Sequence, residues 1–210
     1  MNPQEISLGR HAPSIVNVVV EASKGNQEKY HYHAKSGRFK LAYKFSMPVP
    51  AEYGWIPETI AEDGHFLNAM VIVDHSTHPG YICEARPIGM LKRKDNNHHV
   101  ICVLLGDECY ASVQDISNLD VKVLREIVEF FEPYFELSGW LNRAEAIKVI
   151  EAAHERYIAR REAHIAKDRE NEAVSESVDE TITRPDPVVD HPEQDHTDDQ
   201  EEEEDAEPDN

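Results

Sequence analysis

The sequence has little cysteine and no long apolar run. Its three cysteines, Cys83, Cys102 and Cys109, are odd in number and show no CxxC spacing, so neither a disulfide framework nor a cysteine zinc site is predicted. Cys83 and Cys102 stand in apolar segments, where we expect buried, reduced thiols. No segment approaches about eighteen continuous apolar residues, and the first fourteen residues lack a signal-peptide pattern. We therefore expect a cytoplasmic protein without a membrane partner.

Positive charge is also scarce, with 21 Lys and Arg against 41 Asp and Glu and a net charge of −20. The imbalance is concentrated in residues 173–210, which contain sixteen acidic residues and one basic residue, Arg184. The rest of the chain is only mildly acidic. Nothing in it resembles the basic face that nucleic-acid binding requires, so a nucleic-acid partner is not expected. Residues 173–210 are predicted to form an acidic disordered tail.

Several short segments have strand patterns. Residues 15–20 are rich in β-branched side chains, and the aromatic and aliphatic side chains between residues 39 and 45 recur with period two, as in a strand with one inward face. Residues 69–73 and 100–105 are continuously apolar, whereas Pro87 and Gly89 predict a bent or bulged strand over residues 81–91. Five or six short strands close together favour a mainly β, α+β fold. We predict a small closed or partly closed, OB-like β-barrel.

The hydrophobic period then changes to that of a helix. Apolar residues between 124 and 131 have helical spacing, with Asp120 as the predicted N-cap. Asn142 and Glu145 predict the start of a second helix. The predicted organisation is an N-terminal extension (residues 1–14), a barrel domain with two flanking C-terminal helices (residues 15–160), a charged helix extension (residues 161–172) and the tail.

Residues 53–68 concentrate the polar groups that are most suited to chemistry. Tyr53, Asp63, His65 and Asn68 lie within sixteen residues, directly before the apolar run at 69–73. We predict a loop that leads into a buried strand, because such a strand fixes the side chains of the adjoining loop.

Several segments, taken in order, resemble the soluble inorganic pyrophosphatases of the Mg-dependent, single-barrel family. The resemblance covers about residues 15–158. It rests on the following matched segments: Val18-Val19-Val20-Glu21, Lys29-Tyr30, Tyr53-Gly54-Trp55-Ile56-Pro57-Glu58-Thr59, Asp63-Gly64, Pro79-Gly80, Ala85-Arg86-Pro87-Ile88-Gly89-Met90-Leu91, Asp95, Phe130-Phe131-Glu132 with Tyr134, and Gly139-Trp140.

The resemblance implies metal-dependent hydrolysis of pyrophosphate to two phosphates, with Mg²⁺ as the cofactor and self-association into a homo-oligomer. In that family acidic residues hold the metal ions, which activate a water molecule, and basic and tyrosine side chains bind the phosphates. The implied roles are catalysis by Tyr53, Asp63 and His65, substrate binding by Lys29, Lys44, Tyr53 and Tyr134, and metal binding by Glu21, Asp63, Asn68 and Asp95.

The sequence departs from the family pattern at this same site. The family signature reads Asp-Gly-Asp-Pro-x-Asp, whereas this chain has histidine at 65, phenylalanine at 66 and asparagine at 68. Other expected residues are also replaced: His31 stands for a glutamate, Lys44 for an arginine, Asn97 for an aspartate, and His99 and Phe135 for lysines.

These replacements leave two questions open. An exchange of metal, with His31, His65, His98 and His99 as alternative ligands for Mn²⁺ or Zn²⁺, is one interpretation; polar drift at these positions is the other. Three function classes also remain: a pyrophosphate hydrolase, an inactive pseudoenzyme that binds phosphate-containing ligands or a protein partner, and a structural or interaction module.

Overall fold

The computed structural model describes residues 5–179, with side chains up to residue 171. It divides into two compact units, residues 1–167 and 168–210, and the first contains all the strands that are described. The strands are β1 Val16–Ala22, β2 Glu28–His33, β3 Arg38–Lys44, β4 Glu52–Ile56, β5 Leu67–Ile72, β6 Ile82–Arg93, β7 His99–Leu104 and β8 Leu137–Asn142. The two α-helices of the described chain are α1 Val121–Phe131 and α2 Arg143–Asp179.

Five strands are hydrogen-bonded into a closed ring in the order β1, β4, β5, β7, β6 and back to β1. The first part of β1 pairs with β6 and its last part with β4, so a single strand closes the ring. Strand β8 adds to the outside of β6, and β2 pairs only with β3 in a separate two-stranded sheet. This confirms the predicted mainly β fold with five to six strands in a small closed sheet.

Alternating side chains divide the apolar core between the two faces of the ring. In β5, Ala69 and Val71 belong to one buried cluster, whereas Met70 and Ile72 belong to the other. Helix α2 covers the first cluster through Ala146, Ile150 and Ala153, and α1 covers the second through its buried isoleucine and phenylalanines. Because both faces are covered, β5 is continuously apolar from Ala69 onwards, as its sequence predicts.

Helix starts follow the predicted caps. The Asp120 side chain accepts a hydrogen bond from the backbone of Lys122 at 2.8 Å. The Asn142 side chain accepts one from the backbone of Glu145 at 3.0 Å. Both side chains satisfy amides that have no partner within the helix.

The structure differs from the sequence-based expectation at three places. Residues 53–56 are not loop but the buried strand β4, because Gly54 allows β1 to approach closely: a Cβ at Gly54 would lie 1.9 Å from the carbonyl oxygen of Val19. Strand β8 carried no clear alternation and was not predicted. Helix α2 continues to Asp179, past the predicted boundary at residue 172; the tail prediction for residues 180–210 falls outside the described residues.

Two remaining observations concern the cysteines and the helices. Cys83 and Cys102 are buried free thiols, as predicted, and Cys109 is free and exposed. Burial raises the pKa of Cys83 to about 12. Within residues 5–179 no helix is long and apolar enough to cross a membrane.

Candidate active site

A cavity of about 480 Å³ opens where the ends of several strands meet. Strands β1 and β2 contribute Glu21 and Lys29, and β4 contributes Tyr53. The residues 57–66 form a loop that brings Asp63 to the opposite wall. The remaining lining side chains are His31, Tyr32, Trp55, His65, Phe66, Asn68, Arg93, Asn97 and Phe135.

The cavity brings together seven of the predicted site residues, namely Glu21, Lys29, His31, Tyr53, Asp63, His65 and Asn68. Five others, Lys44, Asp95, His98, His99 and Tyr134, do not line it.

The five that do not line the cavity have identifiable surroundings. Lys44 is exposed at the end of β3, opposite Glu28. The Tyr134 hydroxyl accepts a hydrogen bond from the Ser46 backbone at 2.8 Å. Asp95 is paired with Arg93.

The two adjacent histidines serve packing and turn formation. His98 accepts a hydrogen bond from the Arg93 backbone through Nδ1 at 3.1 Å. His99 is fully buried, and its ring lies 4.4 Å from that of Phe131. For the described residues, no group of three or more His, Cys, Asp or Glu side chains is arranged to hold a metal ion.

A chain of hydrogen bonds occupies the positions where the family signature carries carboxylates. The Tyr53 hydroxyl donates to Asn68 Oδ1 at 3.3 Å, and Asn68 Nδ2 donates to Asn97 Oδ1 at 3.3 Å. Asn97 Nδ2 in turn donates to Asp63 Oδ2 at 2.5 Å. We call these four residues the amide chain. Each amide uses its N–H for one neighbour and its carbonyl for the other, so these contacts hold Asp63 against the cavity wall.

The direction of these bonds fixes the state of His99. Its Nε2 lies 3.2 Å from the Tyr53 hydroxyl. Since that hydroxyl donates to Asn68, His99 must donate through Nε2, which leaves Nδ1 unprotonated in the neutral ring. Burial, followed by the nearby Arg93 charge, lowers the pKa of His99 to about 3. The imidazole therefore acts as a neutral donor beneath the cavity floor.

The charges on the β1–β2 side form a compact pair. Lys29 Nζ lies 3.2 Å from Glu21 Oε2 and 4.7 Å from the centre of the Tyr53 ring. Burial raises the pKa of Glu21, although the charges of Lys29 and His31 act against that shift. Burial, followed by the Glu21 charge, also raises the pKa of Tyr53 above its usual value, so Tyr53 remains a hydrogen-bond donor.

Arg93 is the functional candidate that sequence reasoning did not find. It lies in a run of three basic residues, yet it is 5% exposed and its guanidinium carbon lies 3.3 Å from the centre of the Phe135 ring. Phe135 stands where the family pattern has lysine. Arg93 of β6 thus places a cation next to Phe135, where the family pattern has lysine. The missing lysine at residue 135 was the only feature of the sequence that pointed to Arg93.

The lining combines two carboxylates, Glu21 and Asp63, with two permanent cations, Lys29 and Arg93. The formal charges of these four groups cancel. A polyanion entering the cavity therefore meets less repulsion than it would in a site lined mainly by carboxylates.

Comparison with known proteins identifies the family. The family model described as inorganic pyrophosphatase matches residues 18–158. The chain is similar to the inorganic pyrophosphatase of Sulfolobus acidocaldarius, with 35% identity over 72% of this chain and 96% of that protein. It is 37% identical to the Saccharolobus solfataricus enzyme, over 72% of this chain and 97% of that protein. The crystal structure of inorganic pyrophosphatase from Thermus thermophilus superposes with a TM-score of 0.70 at 31% identity, covering 75% of this chain and 99% of that one. The chain belongs to the inorganic pyrophosphatase family.

Proposed function

We propose that the cavity binds pyrophosphate and that the protein hydrolyses it to two phosphates with a divalent metal ion. One observation carries the proposal. The cavity places two cations, Lys29 and Arg93, beside the carboxylate of Asp63 and the protonated hydroxyl of Tyr53. Cations and hydroxyl donors bind phosphoryl oxygens, and the carboxylate is the group that attracts a metal–phosphate complex.

The cations have distinct roles in this proposal. Arg93 has a planar guanidinium that is held against an aromatic ring and paired with Asp95, and a phosphate group that binds this planar fork competes with Asp95. Lys29 is a point charge that is already shared with Glu21. A phosphate group that approaches Lys29 competes with Glu21, whose raised pKa makes protonation easier when that partner is drawn away.

The donor set fits one magnesium ion that enters with the substrate and does not fit a resident cluster of several ions. Asp63 is the cavity carboxylate without a cationic partner, and the side-chain oxygens of Asn68 and Asn97 follow it along the amide chain. Magnesium requires oxygen ligands and is commonly held by one or two carboxylates together with substrate phosphates and water. Such an ion would polarise the phosphoryl group and acidify a bound water.

The residues that line the first cavity also favour some divalent metal ions over others. A dedicated Zn²⁺ or Mn²⁺ site built from imidazoles needs three or four converging ligands. Of the alternative ligands, only His31 and His65 line the cavity. We therefore propose Mg²⁺, with Mn²⁺ as the ion most able to replace it because it also accepts oxygen ligands.

A second candidate function is binding of pyrophosphate without hydrolysis. The observation that favours it is the amide chain, which satisfies Asp63, Asn68 and Asn97 through one another. Recruitment of a metal ion then requires that these bonds break. Each hydrogen bond that is exchanged costs on the order of 1 kcal/mol, which lowers metal affinity without preventing phosphate binding at the cations.

Release of phosphate from pyrophosphate, measured in parallel with Mg²⁺, Mn²⁺, Zn²⁺ and Co²⁺, tests the first candidate. We expect turnover with Mg²⁺ that is lost in Asp63→Asn and retained in the matched surface variant Asp74→Asn. A wild-type protein that releases no phosphate with any of the four metals, yet binds pyrophosphate in calorimetry, would establish the second candidate. A protein that does neither would belong to the third class, the interaction modules.

We also propose that the protein is cytoplasmic and self-associates. The separate β2–β3 sheet exposes Leu41 and Tyr43, with 56% and 48% of their surface accessible. Neighbouring apolar groups of this kind favour contact with another protein surface. Light scattering of the purified chain tests self-association, and a monomer at all concentrations would exclude it.

A further inference from the structure

A second cavity, of about 690 Å³, lies between helix α2 and the residues 59–66. We call it the α2 groove. One wall is formed by helix α2, with Tyr157, Arg160, Arg161 and Lys167, and the other by a loop that includes His65 and Phe66. Its size is in the range of small-molecule sites.

The charge of the groove is opposite to that of the protein. The chain has a net charge of −20, yet the lining that the described residues give the groove includes Arg160, Arg161 and Lys167 and no carboxylate. Glu162 lies on another face of α2, and Asp168 directly follows Lys167. Arg160 and Lys167 are seven residues apart and share one face of α2, and Arg161 adjoins that face, so the three cations produce a local anion-binding surface.

The opposite wall provides an aromatic platform. Phe66 is 39% exposed and stacks on Trp55, with ring centres 4.3 Å apart and planes inclined by 18°. An exposed phenylalanine that is fixed from behind by another ring presents a preorganised flat surface. Phe66 occupies the place of a proline in the family signature, so this platform belongs to the present chain and is not part of that signature.

We propose that the α2 groove binds a nucleoside di- or triphosphate. The cations of α2 recognise the polyphosphate, and Phe66 and Tyr157 stack against the base. An inorganic anion uses only the cationic wall, and an uncharged nucleoside uses only the aromatic wall. A nucleoside polyphosphate is the small-molecule class that uses both.

Calorimetric titration of ATP, inorganic triphosphate and adenosine into the full chain at low salt tests the proposal. The titrations use the wild-type chain and are repeated with Arg93→Lys, which is expected to weaken binding in the first cavity and to leave binding in the α2 groove unchanged. We expect ATP to bind at least about tenfold more tightly than triphosphate, because stacking of one base on an aromatic ring is worth that factor or more, and adenosine to bind weakest. Equal affinity for ATP and triphosphate would overturn the assignment of the aromatic wall.

Two variants locate the site. The triple variant Arg160→Ala, Arg161→Ala, Lys167→Ala removes exposed side chains and is expected to weaken ATP binding by about tenfold or more. The matched control Arg38→Ala, Lys122→Ala, Arg125→Ala removes the same charges from exposed positions elsewhere and is expected to leave the affinity within about twofold. Equal losses in both variants would show nonspecific attraction and overturn the site.

A further variant tests the aromatic platform of the α2 groove. Phe66→Leu keeps an apolar side chain but removes the ring, and we expect about a tenfold loss for ATP with no change for triphosphate. Absence of ATP binding in the parent protein, combined with a change of oligomeric state in the triple variant, would instead assign the groove to a second copy of this chain.

A consequence for the first cavity rests on the proposed function. His65 and Phe66 line both cavities, so ATP in the groove is expected to change the affinity for pyrophosphate, and pyrophosphate to change the affinity for ATP by the same factor. Wild-type titrations of each ligand with and without the other measure this factor. Independent affinities would exclude coupling, whereas a failure to bind pyrophosphate would contradict the proposed function and leave the groove titrations unaffected.

Discussion

Substitution Asn97→Asp tests the hydrogen bond between Asn97 and Asp63 in the first cavity. Asn97 Nδ2 donates to Asp63 Oδ2 at 2.5 Å, and the family pattern has an aspartate at residue 97. The variant exchanges an attractive amide–carboxylate bond for two carboxylates in contact. We expect lower stability without metal, a raised pKa for the pair, and restoration by Mg²⁺.

The magnitude follows from the distance and the exposure. Two unit charges about 4 Å apart repel by about 4 kcal/mol at an effective dielectric constant of ~20. Asp63 is exposed, so solvent and salt screening reduce the effect towards about 1 kcal/mol. For a chain of this size, a loss of about 1 kcal/mol lowers the melting temperature by roughly 2–4 °C.

Thermal unfolding with and without excess Mg²⁺ measures both effects. Asn97→Asp should melt a few degrees below wild type in chelator, and Mg²⁺ should raise its melting temperature more than that of wild type. The control Asn26→Asp adds the same charge in a loop where the side chain already accepts backbone hydrogen bonds, and it should show neither effect. Unchanged melting in chelator would refute the contact, and a loss without recovery in Mg²⁺ would refute the metal-binding role of Asp63.

Three further predictions concern the same cavity. Lys29→Ala leaves Glu21 buried without its cation and should cost roughly 3 kcal/mol of unfolding free energy; urea unfolding with Lys35→Ala as control measures it, and equal stability would refute the pairing. His99 has a pKa of about 3 in the folded state and near 6.5 in the unfolded state, so the unfolded state binds more protons between those two values. The free energy of unfolding should therefore fall as the pH drops through that window, by at most about 1.4 kcal/mol per pH unit. His99→Gln should flatten this pH profile, and an identical slope would exclude His99 as its cause. His65→Asp combined with Asn68→Asp should improve Mg²⁺ affinity in calorimetry, and an unchanged affinity would show that these two replacements do not limit metal binding.

The fold was largely predictable because its strongest patterns are local. Continuous apolar character identified β5, and Pro87 with Gly89 identified the bulge in β6, which lies between those two residues. The caps at Asp120 and Asn142 identified the helix starts. Strand β8 was not predictable, since it is half exposed and depends on pairing with β6, a contact distant in sequence.

The site was predictable in part, for a related reason. The family pattern predicted Glu21, Lys29, Tyr53 and Asp63 as site residues, and all four line one cavity. The pattern did not predict Arg93, because the burial of this basic residue depends on its packing against the Phe135 ring. The amide chain also depends on which side-chain atoms meet across two loops, and a sequence does not specify this.

The central claim, that the cavity holds pyrophosphate through its two cations, is tested most directly by calorimetric titration of pyrophosphate with Mg²⁺ into wild type and Arg93→Lys. Lysine keeps the charge but loses the planar fork and its packing on Phe135, so we expect an affinity loss of about tenfold. The control Lys94→Ala changes the exposed neighbour and should bind as wild type does. Wild-type affinity in Arg93→Lys, or no pyrophosphate binding by the wild-type chain, would contradict the account.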